Sequence, residues 1–374
     1  MVGRLGRVVA SVSLLALGAA FAARSEQASR DLLPAPTGRY SVGTRLLPPE
    51  IDRSRADKRF TRGYRTLQVQ LWYPASPSHE PYASYFMEAP LLDTLKGESS
   101  APEALERLRS LHTDALLTAP LAGGRYPLFL FSPGFGMPRA VYTSWVEQLA
   151  SDGFIVAVID HPFVGEMWID GRALRAVPHP AGPQAQTAEM VADLHFLLPG
   201  LRSLPGVDPL RIAAIGHSIG GAAAIEACRF ESALSACINL DGDPSFGHFS
   251  EVDVGKPFLV IHQKPVIPGA KPDGNLAKMG REIESAWKTV IAKQSRPVTR
   301  LAVRGTVHLS FTDLPFVRPS LTPASEGAAT DPLRVLRATT AVMENYLNHS
   351  FAGYPGASLD LPDFISSAHL GEPD

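Results

Sequence analysis

A strand-like run that ends in a tight glycine-rich turn is the feature that most constrains how this chain can fold. Arg211–Ile215 has the character of a buried strand, the next six residues read Gly-His-Ser-Ile-Gly-Gly, and a helix of small residues follows from Ala222. Gly216 and Gly220 leave room for a sharp reversal of the backbone around Ser218. The pattern Gly-x-Ser-x-Gly between a strand and a helix therefore predicts a serine hydroxyl raised above one edge of a sheet.

From residue 127 onward, short apolar runs alternate with amphipathic segments. The runs are continuous, which is typical of strands buried on both faces, and the segments between them have helical periodicity. The predicted strands are Leu128–Phe131, Phe154–Ile159, Arg211–Ile215, Ala236–Leu240, Pro257–Ile261 and Thr299–Val303, with helices at about 138–151, 187–202, 219–229, 276–293 and 332–348. Upstream, Tyr40–Leu47 and Thr66–Tyr73 are predicted to form an antiparallel pair at the sheet edge. The alternation predicts an α/β domain over residues 36–350 with a mostly parallel sheet flanked by helices.

Two segments do not fit this alternation. Residues 75–126 contain several prolines, an apolar cluster and a predicted helix around 101–117. We expect a cap-like insertion there, whose apolar side chains pack on the body or, alternatively, line a pocket or contact lipid. Residues 351–374 are predicted to be a polar C-terminal tail.

The first 22 residues have the composition of a signal peptide. Arg4 and Arg7 precede an uncharged stretch over residues 8–23, and Ala20 and Ala22 supply small residues for a cleavage site. The stretch is shorter than the roughly 20 apolar residues that a membrane-spanning helix needs. We therefore expect a secreted or periplasmic protein, with an uncleaved membrane anchor as the alternative.

The two cysteines, Cys228 and Cys237, fall at a predicted helix end and on the next strand. An exported protein can keep a disulfide, and their separation of 9 residues permits one. The interpretation we favour at this point is two separate small buried side chains.

Ser218 is a candidate nucleophile, which requires a general base and an acid to orient that base. In this architecture the partners follow in the order serine, acid, histidine. His308 is the best-placed base because it lies in the loop after the last predicted strand. His262, which also ends a strand, is the second candidate, whereas His217 beside the serine is expected to be structural.

Spacing alone leaves the acid open among three aspartates. Asp241 directly follows the strand after the nucleophile unit, Asp243 is two residues further on, and Asp273 lies in the loop after Pro257–Ile261. A hydrogen-bonded turn also accounts for Asp-Gly-Asp at 241–243, because Asp and Gly are common in turns.

Acyl transfer also needs backbone N–H groups that bind the oxyanion of a tetrahedral intermediate. One candidate is the amide of Ile219, directly after the serine. The second is the amide of Phe135, in the glycine-containing loop that follows an earlier strand. Pro133 in the same loop has no N–H and cannot serve.

These motifs together resemble the plasma-type platelet-activating-factor acetylhydrolases and their bacterial relatives. The resemblance spans roughly residues 38–320 and is carried by Leu71–Pro74, Tyr126–Gly136, Leu149–His161, Ile215–Ala222 and Ile238–Asp241. That family has an α/β-hydrolase fold, needs no metal and hydrolyses short or oxidised acyl esters of phospholipids. The resemblance implies that Ser218, Asp241 and His308 form the catalytic triad and that the Phe135 and Ile219 amides form the oxyanion hole.

Two departures from the family pattern stand out. Pro133 replaces a histidine that often precedes the glycine, which leaves the Phe135 amide intact. Gly242-Asp243-Pro244 replaces a bulkier sequence that contains an aromatic residue, so the acyl pocket and the lipid preference are expected to differ.

The sequence therefore predicts an exported serine ester hydrolase whose substrate is a small-molecule or lipid ester, with peripheral contact to lipid as a further possibility. No metal or organic cofactor is expected, because the histidines lack ligand spacing. Nucleic acid is not an expected partner, since the net charge of −2 comes from scattered residues. The alternatives are a general carboxylesterase or lipase, a polyester hydrolase, a serine peptidase and an inactive hydrolase-fold binding protein. The sequence leaves the oligomeric state open.

Overall fold

The central feature of the fold is a large mixed sheet with helices on both faces. A computed structural model of the 374-residue chain describes residues 32–88, 106, 108–266, 275–319, 322, 327–354 and 358–367. The strands are β1 (Ser41–Leu46), β2 (Glu50–Ala56), β3 (Tyr64–Ala75), β4 (Tyr82–Ser84), β5 (His112–Leu117), β6 (Tyr126–Ser132), β7 (Ile155–Asp160), β8 (Met167–Ile169), β9 (Arg172–Leu174), β10 (Val207–His217), β11 (Ala236–Leu240), β12 (Phe258–Lys264), β13 (Val298–Arg304) and β14 (Ile365–Ser367). The helices are α1 (Thr143–Asp152), α2 (Pro183–Arg202), α3 (Ile219–Phe230), α4 (Asn275–Ala292), α5 (Leu314–Val317) and α6 (Pro332–Phe351).

Among the described residues, twelve strands join in the order β14-β13-β12-β11-β10-β6-β7-β3-β1-β5-β4, and β2 pairs with β3. The strands from β13 to β7 run parallel to one another. The antiparallel β3 joins this parallel core to β1 at one side, and the antiparallel β14 closes the other side. The carboxyl ends of the parallel strands therefore meet at one edge, where α/β sheets bind ligands.

Alternate residues of the central strands belong to two separate hydrophobic cores, one on each face of the sheet. Leu128 and Leu130 of β6 belong to the core under α2 and α3, whereas Phe129 and Phe131 belong to the core under α1 and α6. Each such side chain contributes about 1.5–3 kcal/mol when it is fully buried. A continuous apolar run is thus required over Leu128–Phe131, because each of these four residues fills one core or the other.

The predicted core elements are confirmed within a few residues at their ends. All six predicted strands correspond to strands between β6 and β13, and Tyr40–Leu47 and Thr66–Tyr73 correspond to the antiparallel pair β1 and β3. The five predicted helices correspond to α1, α2, α3, α4 and α6, although the first of them begins as a 3-10 turn at Arg139–Tyr142.

The predicted helix around 101–117 is wrong over its last residues. His112–Leu117 forms β5, which pairs in parallel with β1 and antiparallel with β4. The open edge of β1 offers backbone partners that local helical periodicity does not take into account. The buried side chains of Tyr85 and Phe86 pack on the body. Through β4 and β5, the described parts of this insertion extend the sheet.

Several other elements were not predicted, among them β2, β8, β9, β14 and α5. The short β14 lies within the segment expected to be a polar tail, and the hairpin of β8 and β9 follows the carboxyl end of β7. Within the described residues, no helix combines the length and the apolar character that a membrane span requires.

The favoured interpretation of the cysteines is wrong. Cys228 and Cys237 form a disulfide between the last turn of α3 and the middle of β11, with their Cα atoms 6.3 Å apart. Both residues are buried, as expected, but the short connection between α3 and β11 brings the two elements to disulfide distance.

Candidate active site

The predicted turn around Ser218 has the strained geometry of a nucleophile elbow. Ser218 lies between β10 and α3 with φ of 57° and ψ of −128°, a conformation that costs about 1–3 kcal/mol in a residue other than glycine. Its amide donates to the carbonyl of Leu240 at 2.8 Å, which ties the turn to the end of β11. A side chain at Gly220 would come within 2.6 Å of the Pro133 carbonyl oxygen. Glycine is therefore required there by close contact between backbones.

Asp241 points its carboxylate at His308. Its Oδ2 atom lies 2.6 Å from His308 Nδ1, and its Oδ1 atom accepts the Gln263 amide at 2.9 Å. Asp241 has a left-handed φ of 53°, and its own amide donates to the Ile261 carbonyl at 2.7 Å. The backbone at the end of β11 thus turns the carboxylate across the neighbouring strand β12 toward the histidine.

The other two candidate acids are placed differently. Asp243 is turned away, since its Oδ1 atom accepts the amide and the hydroxyl of Ser245 at 2.7 and 2.6 Å. This side chain caps the 3-10 turn Pro244–Phe246. Asp273 lies outside the described residues.

His308 begins a 3-10 turn, His308–Phe311, that follows β13. The turn is fixed by Thr306, whose hydroxyl donates to the Val303 carbonyl at 2.6 Å, and by Ser310, whose hydroxyl oxygen accepts the Val307 amide at 3.0 Å. Because the carboxylate of Asp241 can only accept, Nδ1 of His308 carries the hydrogen and Nε2 keeps a free lone pair. The His308 side chain is 41% exposed, so that lone pair is open to a substrate.

His262, the second candidate base, has no acid partner in a comparable position. Its Nδ1 atom donates to the Gln263 carbonyl at 3.2 Å, and burial lowers the pKa of its ring to about 4. Its role at the end of β12 is consistent with a neutral structural side chain.

His217 is next to Ser218 in the chain and contacts His308 in space. The rings of His217 and His308 are 4.5 Å apart between centroids, and His217 precedes Ser218 directly. Among the described residues, the hydroxyl of Ser218 makes no hydrogen bond, to His308 or to any other group. Contacts between a nucleophile and its base commonly tighten only when a substrate binds.

Residues 133–136, which we call the oxyanion loop, lie against the serine turn. A side chain at Gly134 would lie 3.2 Å from Ser218 Cβ, and the Gly136 amide donates to the Val164 carbonyl at 2.8 Å. Within the described part of the chain, the amides of Phe135 and Ile219 donate to no protein group. Ile219 directly follows Ser218, and Phe135 directly follows Gly134, which lies close to the Ser218 side chain. Phe135 is 39% exposed, so an aromatic side chain of the oxyanion loop faces solvent.

A second Ser-His-Asp arrangement was not predicted. Ser132 Oγ lies 3.0 Å from His161 Nε2, and His161 Nδ1 lies 2.9 Å from Asp193 Oδ2. All three side chains are buried, so no substrate reaches this serine. Burial raises the pKa of Asp193, but the charge of Arg65 and the hydrogen bond from His161 outweigh burial and hold it well below its usual range.

The sequence contains one signal for this buried arrangement. Ser132 and Asp160-His161 stand at the ends of the neighbouring parallel strands β6 and β7, so their side chains meet at the same edge. Asp193 gives no comparable signal, because it lies in the middle of α2. Among the described side chains, no cluster of His, Cys, Asp and Glu has the composition of a metal site.

The parallel sheet, the serine elbow after β10 and the Asp241–His308 pair after β11 and β13 define an α/β-hydrolase. A family model described as platelet-activating factor acetylhydrolase, isoform II, matches residues 25–163 and 183–351 of this chain. The chain therefore belongs to that family.

Relatives of known name agree with this assignment. The platelet-activating factor acetylhydrolase of Cavia porcellus is 26% identical over 66% of this chain and 64% of its own length, and that of Gallus gallus is 26% identical over 52% and 54%. The chain thus spans less than two thirds of each of these two relatives. A solved structure of a ferulic acid esterase from Streptomyces cinnamoneus is 30% identical, with a TM-score of 0.71, and covers 90% of this chain and 99% of that one.

The break between the two matched ranges has a structural counterpart. It contains the hairpin of β8 and β9 and begins at Val164, whose carbonyl accepts the Gly136 amide. The oxyanion loop therefore rests on a segment that lies outside the family match.

Proposed function

We propose that the protein is an exported serine ester hydrolase in which Ser218, His308 and Asp241 act as a catalytic triad. The observation that carries this proposal is the Asp241–His308 hydrogen bond of 2.6 Å beside the strained turn at Ser218. If Asp241 served only to form a hydrogen-bonded turn at residues 241–243, its carboxylate would have no reason to contact the imidazole of His308.

The mechanism follows from the free lone pair on His308 Nε2. This atom takes the proton of the Ser218 hydroxyl while Oγ attacks the ester carbonyl carbon, and a tetrahedral intermediate forms. The same proton passes from Nε2 to the leaving alcohol as the ester bond breaks, which leaves an acyl-serine. Water then attacks the acyl carbon and gives one proton to Nε2. As the bond between Oγ and the acyl carbon breaks, Nε2 returns that proton to Oγ, and the acid product leaves with Ser218 and His308 restored. Asp241 stays ionised and holds the imidazolium that forms in each half-reaction.

The amides of Phe135 and Ile219 supply the oxyanion hole in this proposal. Ile219 directly follows Ser218, Phe135 directly follows Gly134 beside the Ser218 side chain, and within the described residues neither amide donates to another acceptor. Removing one such donor from an acyl-transfer enzyme typically costs about 3 kcal/mol in the activation barrier.

The proposed substrates are short-chain acyl esters, with phospholipid esters as the first candidates. The named acetylhydrolases in the family support this choice. A second candidate is a feruloyl ester, because the ferulic acid esterase structure is similar over 90% of this chain and Phe135 of the oxyanion loop is an exposed aromatic residue.

Export is supported by two independent features. The first 22 residues have a basic start, an uncharged stretch and small residues at a cleavage site. The Cys228–Cys237 disulfide is typical of an oxidising compartment. Expression in a bacterial host, followed by sequencing of the mature N-terminus from the periplasm or medium, tests this part; a protein retained in the cytoplasm at full length would contradict it.

A fluorophosphonate probe and a set of esters test the mechanism and the substrate. The wild type is expected to take one label per chain, and Ser218→Ala none. Relative rates on p-nitrophenyl esters of increasing acyl length, a phospholipid with a 2-acetyl group and methyl ferulate then separate the substrate classes. An unlabelled wild type, or full esterase activity in Ser218→Ala, would rule out the mechanism.

A further inference from the structure

A continuous chain of buried hydrogen bonds runs from the oxyanion loop to the turn that carries His308. The Gly134 amide lies 3.0 Å from the Tyr142 hydroxyl oxygen, and that oxygen lies 2.9 Å from His217 Nδ1. The other ring nitrogen of His217, Nε2, lies 3.0 Å from the backbone carbonyl oxygen of His308. Three hydrogen bonds thus join residues on both sides of Ser218.

The chemistry of the groups fixes the direction of every bond in this chain. The carbonyl of His308 can only accept, so Nε2 of His217 carries the hydrogen. Burial lowers the pKa of His217 well below its ordinary value, which keeps the ring neutral and leaves Nδ1 as an acceptor. The Tyr142 hydroxyl therefore donates to Nδ1, and its oxygen accepts the Gly134 amide. Each donor meets one acceptor.

Aromatic side chains surround the two residues at the centre of this chain. Tyr142 and His217 are both buried. The ring of Tyr142 packs on Phe131 with centroids 4.9 Å apart, and the ring of His217 lies 6.4 Å from that of Phe311. Hydrogen bonds in such a low-dielectric setting are stronger than in water, and an unpaired member is correspondingly unfavourable.

We propose that Tyr142 and His217 are positioning residues that couple the oxyanion loop to His308. This inference rests on the proposed function, because it assigns a role relative to the Phe135 amide and the His308 base. The ring of His217 also lies against that of His308, with centroids 4.5 Å apart, but neither Tyr142 nor His217 gives or takes a proton in the proposed reaction. Tyr142 acts through Gly134, the neighbour of the Phe135 amide, and His217 acts through the backbone of His308 itself.

The coupling predicts a specific kinetic effect. A shift of the Phe135 amide or of His308 alters contacts made in the transition state more than contacts made by the bound ester, so kcat should fall while KM stays nearly constant. A displacement of about 1 Å at a catalytic group can reduce the rate about 100-fold.

Tyr142→Phe removes a single oxygen atom from the chain and is the first test. We expect kcat for p-nitrophenyl acetate to fall by about 10- to 100-fold, with KM within about twofold of the wild type. Tyr73→Phe is the matched control. Tyr73 lies on β3, and the variant removes a buried hydroxyl that donates to the Ala119 carbonyl at 2.8 Å. Both variants lose one buried hydrogen bond, but only the first is expected to lose kcat.

His217→Gln gives a second, independent test that also covers the case in which Tyr142→Phe does not fold. The glutamine amide can still donate to the His308 carbonyl, but no acceptor remains at the position of Nδ1. We expect a fall in kcat similar to that of Tyr142→Phe. The double variant is expected to have a kcat within about threefold of Tyr142→Phe alone, because the two changes break the same chain. Losses that multiply would show that the residues act independently and would overturn the coupling.

The outcomes separate this inference from the proposed function. Fluorophosphonate labelling of the wild type at Ser218 establishes the function first. If the labelled wild type is active and Tyr142→Phe has the same kcat and KM as Tyr73→Phe, the coupling is wrong and the triad stands. If the wild type is not labelled, the proposed function itself fails.

Discussion

Asp241 holds His308 with one carboxylate oxygen and is itself held by the other. Oδ2 lies 2.6 Å from His308 Nδ1, and Oδ1 accepts the backbone amide of Gln263 at 2.9 Å. Because both oxygens are committed, the carboxylate cannot rotate without breaking a hydrogen bond, and the imidazole keeps one tautomer. Asp243 instead accepts a hydrogen bond from the Ser245 amide. The two acids of one short turn therefore have different roles.

Asp241→Asn should reveal this division of roles. An asparagine of nearly the same shape can still face Nδ1, but its neutral amide no longer selects the tautomer or stabilises the imidazolium, so kcat should fall by about 10³- to 10⁴-fold. The kcat for p-nitrophenyl acetate measures the effect. Asp243→Asn is the control and should stay within about threefold of the wild type. Equal losses in the two variants would contradict the assignment of the acid.

The buried Ser132–His161–Asp193 arrangement is expected to be structural. Ser132→Ala should retain full fluorophosphonate labelling, because Ser218 is the only serine of the two with access to solvent. It should lower the free energy of unfolding by about 1–3 kcal/mol, since His161 Nε2 loses its partner in a buried setting. Mass spectrometry of the labelled protein and urea unfolding provide the two readouts. Loss of the label in Ser132→Ala with an intact fold would show that the wrong serine has been assigned.

The sequence predicted the parallel core well because burial on both faces leaves a plain signal. Each of the residues Leu128–Phe131 of β6 fills one of two cores, so the strand has a continuous apolar run, and the helices between such strands have one buried face. Edge elements carry a weaker signal. His112–Leu117 becomes a strand because β1 offers a free edge, and Ile365–Ser367 does so because β13 offers another. Such pairing depends on tertiary context that a local pattern does not contain.

The candidate site was predictable where chemistry is tied to strand ends. Ser218, Asp241 and His308 each follow a parallel strand, and the structure brings the last two into contact. Two features distinguish Asp241 from Asp243 as the acid: the left-handed φ of Asp241, and the hydrogen bond by which Asp243 accepts the Ser245 amide. The spacing of residues in the sequence reveals neither feature. The role of Tyr142 was beyond sequence reasoning for a similar reason, since its hydroxyl reaches residues 8 and 75 positions away in the chain.

Glu147 gives the protein a predictable loss of stability as the pH rises from about 4 to about 8. Its carboxyl is buried in α1, where it accepts the Ala115 amide at 3.0 Å, and burial together with the charge of Asp114 raises its pKa to about 8. An unfolded chain releases this proton near pH 4.3, whereas the folded chain keeps it up to about pH 8. The free energy of unfolding therefore falls by up to about 1.4 kcal/mol per pH unit in that window, and the contribution levels off above it.

Glu147→Gln removes this titration while it keeps an acceptor for the Ala115 amide. The free energy of unfolding of the variant, relative to wild type, should rise from pH 5 to pH 8 and then stay constant, as measured by urea unfolding at each pH. Burial raises the pKa of Asp313 to about 7, so its titration also lowers the free energy of unfolding of both proteins as the pH rises. The informative quantity is therefore the difference in free energy of unfolding between the variant and the wild type at each pH. Glu50→Gln, at an exposed strand end, should follow the wild type. Parallel curves for wild type and Glu147→Gln would show that Glu147 does not titrate in this range.

The Cys228–Cys237 disulfide is expected to stabilise the fold without taking part in catalysis. It closes a short loop of 9 residues in sequence between α3 and β11, and a cross-link of this length removes chain entropy from the unfolded state worth about 2–3 kcal/mol. The double variant Cys228→Ala/Cys237→Ala should unfold in urea with a free energy lower by about that amount, while kcat for p-nitrophenyl acetate at 25 °C stays within about twofold. Dithiothreitol should lower the stability of the wild type to that of the variant and leave the variant unchanged. A reductant effect of equal size on both proteins would show that the disulfide is not its cause.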